Sequence, residues 1–199
     1  MENKILQAVE DLKQGKMIIV ADDITRENEG DIIILAEKAT EESMTFIIKK
    51  ASGLVCLAVD LRTANKLDLK PMVENNQESM RTAFTVSIDA KHGISTGISA
   101  SDRVKTVLDV VNDSAKADDL VRPGHLFPVV AKDGGLKSRR GHTEAAIELT
   151  KLANAKPAAI ICEIMGDDGK MLRGKDLDNF AKEYNLTKIS VEELACFLK

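Results

Sequence analysis

Ten residues, Asp22-Asp23-Ile24-Thr25-Arg26-Glu27-Asn28-Glu29-Gly30-Asp31, hold five acids against one arginine. The stretch lies between the apolar runs Met17–Ala21 and Ile32–Leu35, so it leaves one buried strand and enters another. An average acidic loop is a solvated turn. Here Gly30 permits a sharp turn that converges Glu27, Glu29 and Asp31. Gathered carboxylates repel one another unless a positive charge sits among them, and Arg26 alone does not balance five acids. Hard oxygen donors suit Mg²⁺ or Mn²⁺.

Two further loops carry histidine. In Arg122-Pro123-Gly124-His125-Leu126-Phe127-Pro128 the prolines restrict the backbone on both sides of His125. The ring is then either a satisfied structural histidine or a general acid or base, since imidazole titrates near neutral pH. The segment Gly134–Glu144 is a glycine-flanked basic loop running into a helix. Free N–H groups at a helix start, Arg139, Arg140 and the Thr143 hydroxyl together describe a phosphate cradle. The plain alternative is a basic loop capping a helix. Neither the Walker spacing nor a GxGxxG fingerprint is present. His142 is free to join the acidic loop in holding a metal. Glu163 ends the apolar run Ala158–Ile164, a better place for a catalytic acid than the open surface. Cys56 reads first as a buried core thiol, His92 as a surface residue, and Gly93–Arg103 as ordinary helix capping.

These loops need a scaffold, and the chain supplies one. Apolar runs of strand length recur at Met17–Ala21, Ile32–Leu35, Leu54–Val59, Phe84–Ile88, Leu126–Ala131 and Ala158–Ile164. Helical periods lie between them: Ile5, Ala8, Val9 and Leu12; Met44, Ile47 and Ile48; a stripe after Ser99; His142–Ala153; Leu177–Tyr184; and Val191–Leu198. Some strands follow one another with no helix between, so a mixed sheet flanked by helices in a single domain is expected, not a purely doubly wound one.

Composition bounds the rest. The chain has 199 residues and a net charge of −4, with five Phe, one Tyr and no Trp. One domain over 1–199 is the expectation, with a core of aliphatic residues. The absence of a basic excess or of many aromatics argues against nucleic-acid binding. No apolar stretch approaches the roughly 20 residues needed to span a bilayer. Three scattered cysteines, Cys56, Cys162 and Cys196, match no disulfide or zinc pattern and point to the cytoplasm.

With those residues in view, the chain resembles the 3,4-dihydroxy-2-butanone 4-phosphate synthase family of riboflavin biosynthesis. The matching words, in the family's order, are DDITRENEGD (22–31), ASGLVC (51–56), TAFTVSID (82–89), STGISASDR (95–103), RPGHLFP (122–128), RRGHTEA (139–145) and ICE (161–163). The resemblance implies a mixed α/β sandwich, a homodimer with sites near the interface, and a lyase that turns D-ribulose 5-phosphate into 3,4-dihydroxy-2-butanone 4-phosphate and formate. It implies Mg²⁺ or Mn²⁺, two ions per site, held by Glu27 and His142. Substrate contacts fall on Arg26, Glu27, Asp31, Arg139, Arg140, Gly141, His142, Thr143 and Glu163, with Cys56 and Glu29 as further candidates. Arg139 and Thr143 take the phosphate. His125, Glu163 and Asp31 carry proton traffic beside Glu27, and the acid that takes the first proton is left open. Fused relatives add a GTP cyclohydrolase II domain with a cysteine-ligated zinc. This chain has no cysteine cluster, so the stand-alone form is expected.

Overall fold

The alternating apolar and amphipathic segments assemble into one seven-stranded sheet in the computed structural model, which describes residues 2–199. The strands are β1 (Ile18–Ala21), β2 (Gly30–Leu35), β3 (Cys56–Val59), β4 (Ile88–Ala90), β5 (Leu120–Val130), β6 (Ala158–Glu163) and β7 (Thr187–Ser190). Their spatial order is β4-β5-β3-β6-β2-β1-β7. The pairs β1/β7 and β3/β5 are parallel and the others antiparallel, which makes the sheet mixed.

Helices cover both faces. Ile32 and Ile34 of β2 face α2 (Glu41–Phe46), α4 (Ala100–Val110) and α6 (Gly174–Glu183), with α3 (Leu61–Lys66) on the same side. Ile33 and Leu35 point the other way, onto α1 (Glu2–Lys13), α5 (His142–Leu152) and α7 (Val191–Phe197). Strand side chains alternate faces, so the central strands are apolar along their middles, and β2 is buried throughout with Asp31 the one charged residue in it. Among the described residues no helix is long and apolar enough to cross a membrane.

Three elements differ from the expectations. Phe84–Ile88 is not a continuous strand: Thr85 and Phe84 make isolated bridges to Pro71 and Val129, and β4 begins only at Ile88. Pro128 accounts for this, because it accepts from the Thr85 N–H at 3.0 Å but has no N–H to return. Strand β7 (Thr-Lys-Ile-Ser) buries only Ile189 and shows almost no apolar signal. Helix α3 is six residues long, started by Asp60 accepting from the Thr63 N–H.

The topology gathers the chemistry at one end of the sheet. The acidic stretch is the connection of the β1/β2 hairpin, closed by the Ala21–Gly30 pair. Register then sets Asp31 opposite Glu163 at the end of β6. Helix α5 starts with His142 over the same end. Gly30 lies within β2 and does not make the expected sharp turn; the left-handed residue of the connection is Asn28 (φ 55°), and a Cβ at Gly30 would meet the Leu177 side chain of α6 at 2.5 Å.

Candidate functional site

Asp22 organises the acidic loop. Its Oδ1 accepts from the Glu29 N–H at 2.8 Å, and its Oδ2 accepts from the Glu27 N–H at 3.1 Å and from Arg26 Nη1 at 2.8 Å. Arg26 Nη1 also donates to Glu27. From outside, Arg173 donates Nε to the Asn28 carbonyl at 2.9 Å and sets Nη2 3.4 Å from Glu29. Arg173 therefore clamps the loop while offsetting part of its negative charge. Replacing it with Gln removes that positive charge from beside the acids, so divalent-cation affinity is expected to rise by about 2–5-fold. Calorimetric titration with Mn²⁺ checks this.

The loop delivers Glu27 and Asp31 to His142. Nδ1 of His142 lies 3.7 Å from Glu27 Oε2 and 3.5 Å from Asp31 Oδ1. All this is well covered: Asp31 is 4% exposed and His142 is 6% exposed. Burial pushes the Asp31 carboxyl up to about 7, with Glu163, Glu27 and Glu29 adding to the rise and His142 opposing it. Burial alone would lower His142, but Asp31, Glu27 and Asp22 outweigh it and hold the imidazole above its ordinary value. Glu27 moves the opposite way from Asp31, held low by the neighbouring His142 imidazole and by Arg26.

Two buried polar atoms here, Asp31 Oδ1 and His142 Nε2, have no hydrogen-bond partner. Native interiors rarely leave such atoms unpaired, so each calls for a partner such as water or an ion. Donor atoms of Asp22, Glu27 and His142 also lie within 4.8 Å of one another, close enough to share a cation. Asp22 already accepts three hydrogen bonds, so Glu27 and His142 are the donors with capacity to spare. An oxygen and imidazole set of this kind fits Mg²⁺ or Mn²⁺.

The cluster opens into a cavity of about 230 Å³ lined also by Arg26, Glu29, Cys56, Glu163, Arg139 and Thr143. Glu163 is fixed by the Leu54 N–H, which donates to its Oε2 at 2.8 Å. Backbone and carboxylate crowd Gly53, where a Cβ would lie 2.3 Å from the Glu163 carbonyl oxygen and 2.7 Å from Oε2. Gly53→Ala is expected to cost about 1–3 kcal/mol through overpacking. A lower Tm with displaced Glu163, and so reduced turnover, is the outcome to look for. Burial, reinforced by Glu163 and Asp31, pushes the Cys56 thiol far up, so it lines the wall as a neutral group.

The basic segment supplies the other end of the cavity. Gly141 is the N-cap of α5 and offers no side-chain cap, which leaves the first-turn N–H groups uncapped by any side chain. A Cβ at Gly141 would strike Arg139 Nη1 at 2.2 Å. Arg139 donates to Glu144 at 2.7 Å, to the Thr82 hydroxyl at 3.0 Å and to the Met80 carbonyl at 3.3 Å. It thereby ties the wall segment around Glu78 and Thr82 to the start of α5. Glu78 in turn accepts from the Met80 and Thr82 N–H groups, both at 2.7 Å, and these bonds pull its carboxyl down to about 2 despite partial burial.

Three expected site residues do not line this cavity: Gly141, which borders it as the N-cap of α5, and Arg140 and His125, which stand apart. Arg140 turns to the surface and pairs with Glu192. His125 lies on a bulge of β5, its ring 43% exposed and held by Asp89. The sequence reading did not single out Asp22, Glu78, Thr82, Phe84 or Asp89. Asp22 lay in the acidic stretch, and Thr82, Phe84 and Asp89 lay in the word TAFTVSID (82–89) with no role assigned. A larger hollow of about 660 Å³ shares Glu78, Thr82 and Phe84 with the site. Its lining includes Leu61, Met72 and Val73 with two carboxylates, Glu74 and Glu78, but no histidine, lysine or arginine, so it offers no cation for a phosphate.

The chain is similar to known proteins in sequence and in fold. Residues 6–197 match the 3,4-dihydroxy-2-butanone 4-phosphate synthase family. The 3,4-dihydroxy-2-butanone 4-phosphate synthase of Histophilus somni (strain 129Pt) is 49% identical over 193 residues, 97% of this chain and 91% of that protein. The riboflavin biosynthesis protein RibBA of Bacillus mycoides (strain KBAB4) is also 49% identical, over 99% of this chain but 49% of its own length. A crystal structure of 3,4-dihydroxy-2-butanone 4-phosphate synthase in complex with two magnesium ions superposes with a TM-score of 0.93 at 38% identity, covering 98% of this chain and 95% of that one. The Candida albicans enzyme superposes at 0.91 with 42% identity, covering 98% and 97%.

Proposed function

Since the chain belongs to the 3,4-dihydroxy-2-butanone 4-phosphate synthase family of riboflavin biosynthesis, we propose that it converts D-ribulose 5-phosphate into 3,4-dihydroxy-2-butanone 4-phosphate and formate. The observation that carries this is the buried Asp31–His142 pair with its two unpartnered atoms, joined by the half-buried Glu27, beside an uncapped helix start. Few cavities offer a near-neutral carboxyl, an anionic carboxylate and a phosphate cradle together.

The substrate phosphate sits at the first turn of α5, on its N–H groups, the Thr143 hydroxyl and Arg139. It is never cleaved; holding it orients the sugar carbons toward Asp31 and Glu163. Loss of the C1 proton gives an enediol, and loss of the C3 hydroxyl, skeletal migration and hydration then expel C4 as formate. Asp31 faces the cavity as a proton carrier, its carboxyl raised by burial in the cation-free protein. Glu163, fixed by the Leu54 N–H, faces the same cavity as a second proton carrier. Glu27 and His142 would hold Mg²⁺ or Mn²⁺, with two ions per site as our reading; a relative was solved in complex with two magnesium ions. When bound, the cation supplies Lewis-acid charge for the enediol oxygens.

The protein acts as a homodimer with sites near the interface. That assembly gives the exposed, Asp89-held His125 a place in the chemistry that one chain's cavity does not offer it. A cytoplasmic location fits three cysteines that are all unpaired. The test is incubation with D-ribulose 5-phosphate and Mg²⁺. Formate release is expected; ribose or xylulose phosphate without formate would mark an isomerase sharing only the enediol step.

A further inference from the structure

His125 owes its orientation to residues far away in sequence. The segment Arg122–His125 bulges from β5 between Val121, paired with Asp89, and Leu126, paired with Ile88. The bulge is pinned by the Gly124 N–H donating to Ser87 Oγ at 3.1 Å. It sets His125 over Asp89: the His125 backbone N–H donates to Oδ1 at 2.9 Å, and Nδ1 lies 2.7 Å from Oδ2. The Asp89 side chain is 6% exposed, against 43% for the imidazole. Gly97 covers the pair. At φ +99° its missing Cβ would lie 2.2 Å from Asp89 Oδ2 and 2.5 Å from His125 Nδ1. Asp102 fixes that cover by accepting from the Gly97 N–H at 3.0 Å and the Ser95 hydroxyl at 2.7 Å.

A carboxylate only accepts hydrogen bonds, so the imidazole nitrogen facing it must carry the proton. We propose that Asp89 is a positioning residue that locks His125 in the Nδ1–H tautomer, leaving Nε2 as the unprotonated nitrogen available to a substrate proton. One carboxylate thus sets both the backbone of the bulge and the protonation pattern of the ring. The same division of labour underlies carboxylate–histidine pairs in hydrolase triads. The catalytic consequence rests on the role proposed above for His125; the tautomer does not.

The test is long-range ¹H–¹⁵N NMR of ring-labelled histidines at alkaline pH, with signals assigned through His92→Gln and His125→Gln. Wild-type His125 is expected to show a protonated Nδ1 and a pyridine-like Nε2. In Asp89→Asn the amide Oδ1 still accepts from the backbone while Nδ2 donates to the ring, so the proton moves to Nε2. The kcat should fall by about 10²–10⁴-fold with the secondary structure intact. A wild-type Nε2–H tautomer, or an unchanged tautomer in Asp89→Asn, overturns the proposal. The wild-type spectrum decides even if the variant does not fold. Full activity in His125→Gln would instead remove His125 from the reaction, and with it the catalytic consequence, while the tautomer is judged on its own signal.

Discussion

Glu27→Gln lowers divalent-cation affinity by about 100-fold or more and kcat/KM by about 1,000-fold, several kcal/mol of transition-state stabilisation. Glu27 is the carboxylate that stays anionic in this cluster, held low by His142 and by Arg26 while burial works against it. Gln keeps the volume and one oxygen but removes the charge that offsets a cation. Asp22 still holds the loop through the Glu29 N–H and Arg26, so the effect is on binding and not on folding. Titration with Mn²⁺, paired with steady-state rates at saturating Mg²⁺, checks both halves. Unchanged cation affinity would place the metal elsewhere.

Asp31→Asn has two expected effects of opposite sign. Turnover falls by about 10²–10⁴-fold, because an amide neither takes nor returns a proton. Stability of the cation-free protein rises. The folded value of the Asp31 carboxyl, about 7, lies above its ordinary 3.8, so the native state favours the protonated form. That contribution is fully present below about pH 4 and is lost as the pH climbs through about 7. Asn has no such charge to bury. In chelator at about pH 8 the variant should therefore melt higher than wild type, with ~2–4 °C for each kcal/mol, and the gain should vanish toward about pH 4. Thermal unfolding across that range reads it directly. A gain in stability with a loss of turnover marks a group retained for chemistry at the expense of the fold.

Much of this was legible before any coordinates, for physical reasons. Central strands buried on both faces are apolar along their middles, which is why β1, β2, β3 and β6 stand out in the sequence. Ser99 announced α4 because a cap residue must precede uncapped N–H groups, and it accepts from Asp102 as expected. An edge strand such as β7 needs only one buried side chain, so Thr-Lys-Ile-Ser looks like any polar turn. Pro128 interrupted the pairing of Phe84 and Thr85, an effect visible only once their partner strand is known.

The site shows the same division. Glu27, Asp31, His142 and Glu163 were found as residue types in unusual places, and the hairpin and β2/β6 register bring them to one cavity. The separate duties of five neighbouring acids were not readable. Asp22 and Glu27 differ only in which one faces backbone amides, and that is settled by closure of the hairpin. Asp89 is 36 residues from His125, and no local spacing connects them. Prolines around His125 correctly announced a constrained backbone, but the constraint comes from the bulge, Ser87 and Asp89.

The measurement closest to the central claim follows one carbon. D-ribulose 5-phosphate labelled with ¹³C at C4 is incubated with the protein and Mg²⁺, and ¹³C NMR follows the label. Labelled formate should appear in step with the unlabelled four-carbon phosphate, and should be abolished by chelator. Label retained in a five-carbon sugar phosphate, or formate arising without it, would contradict the account.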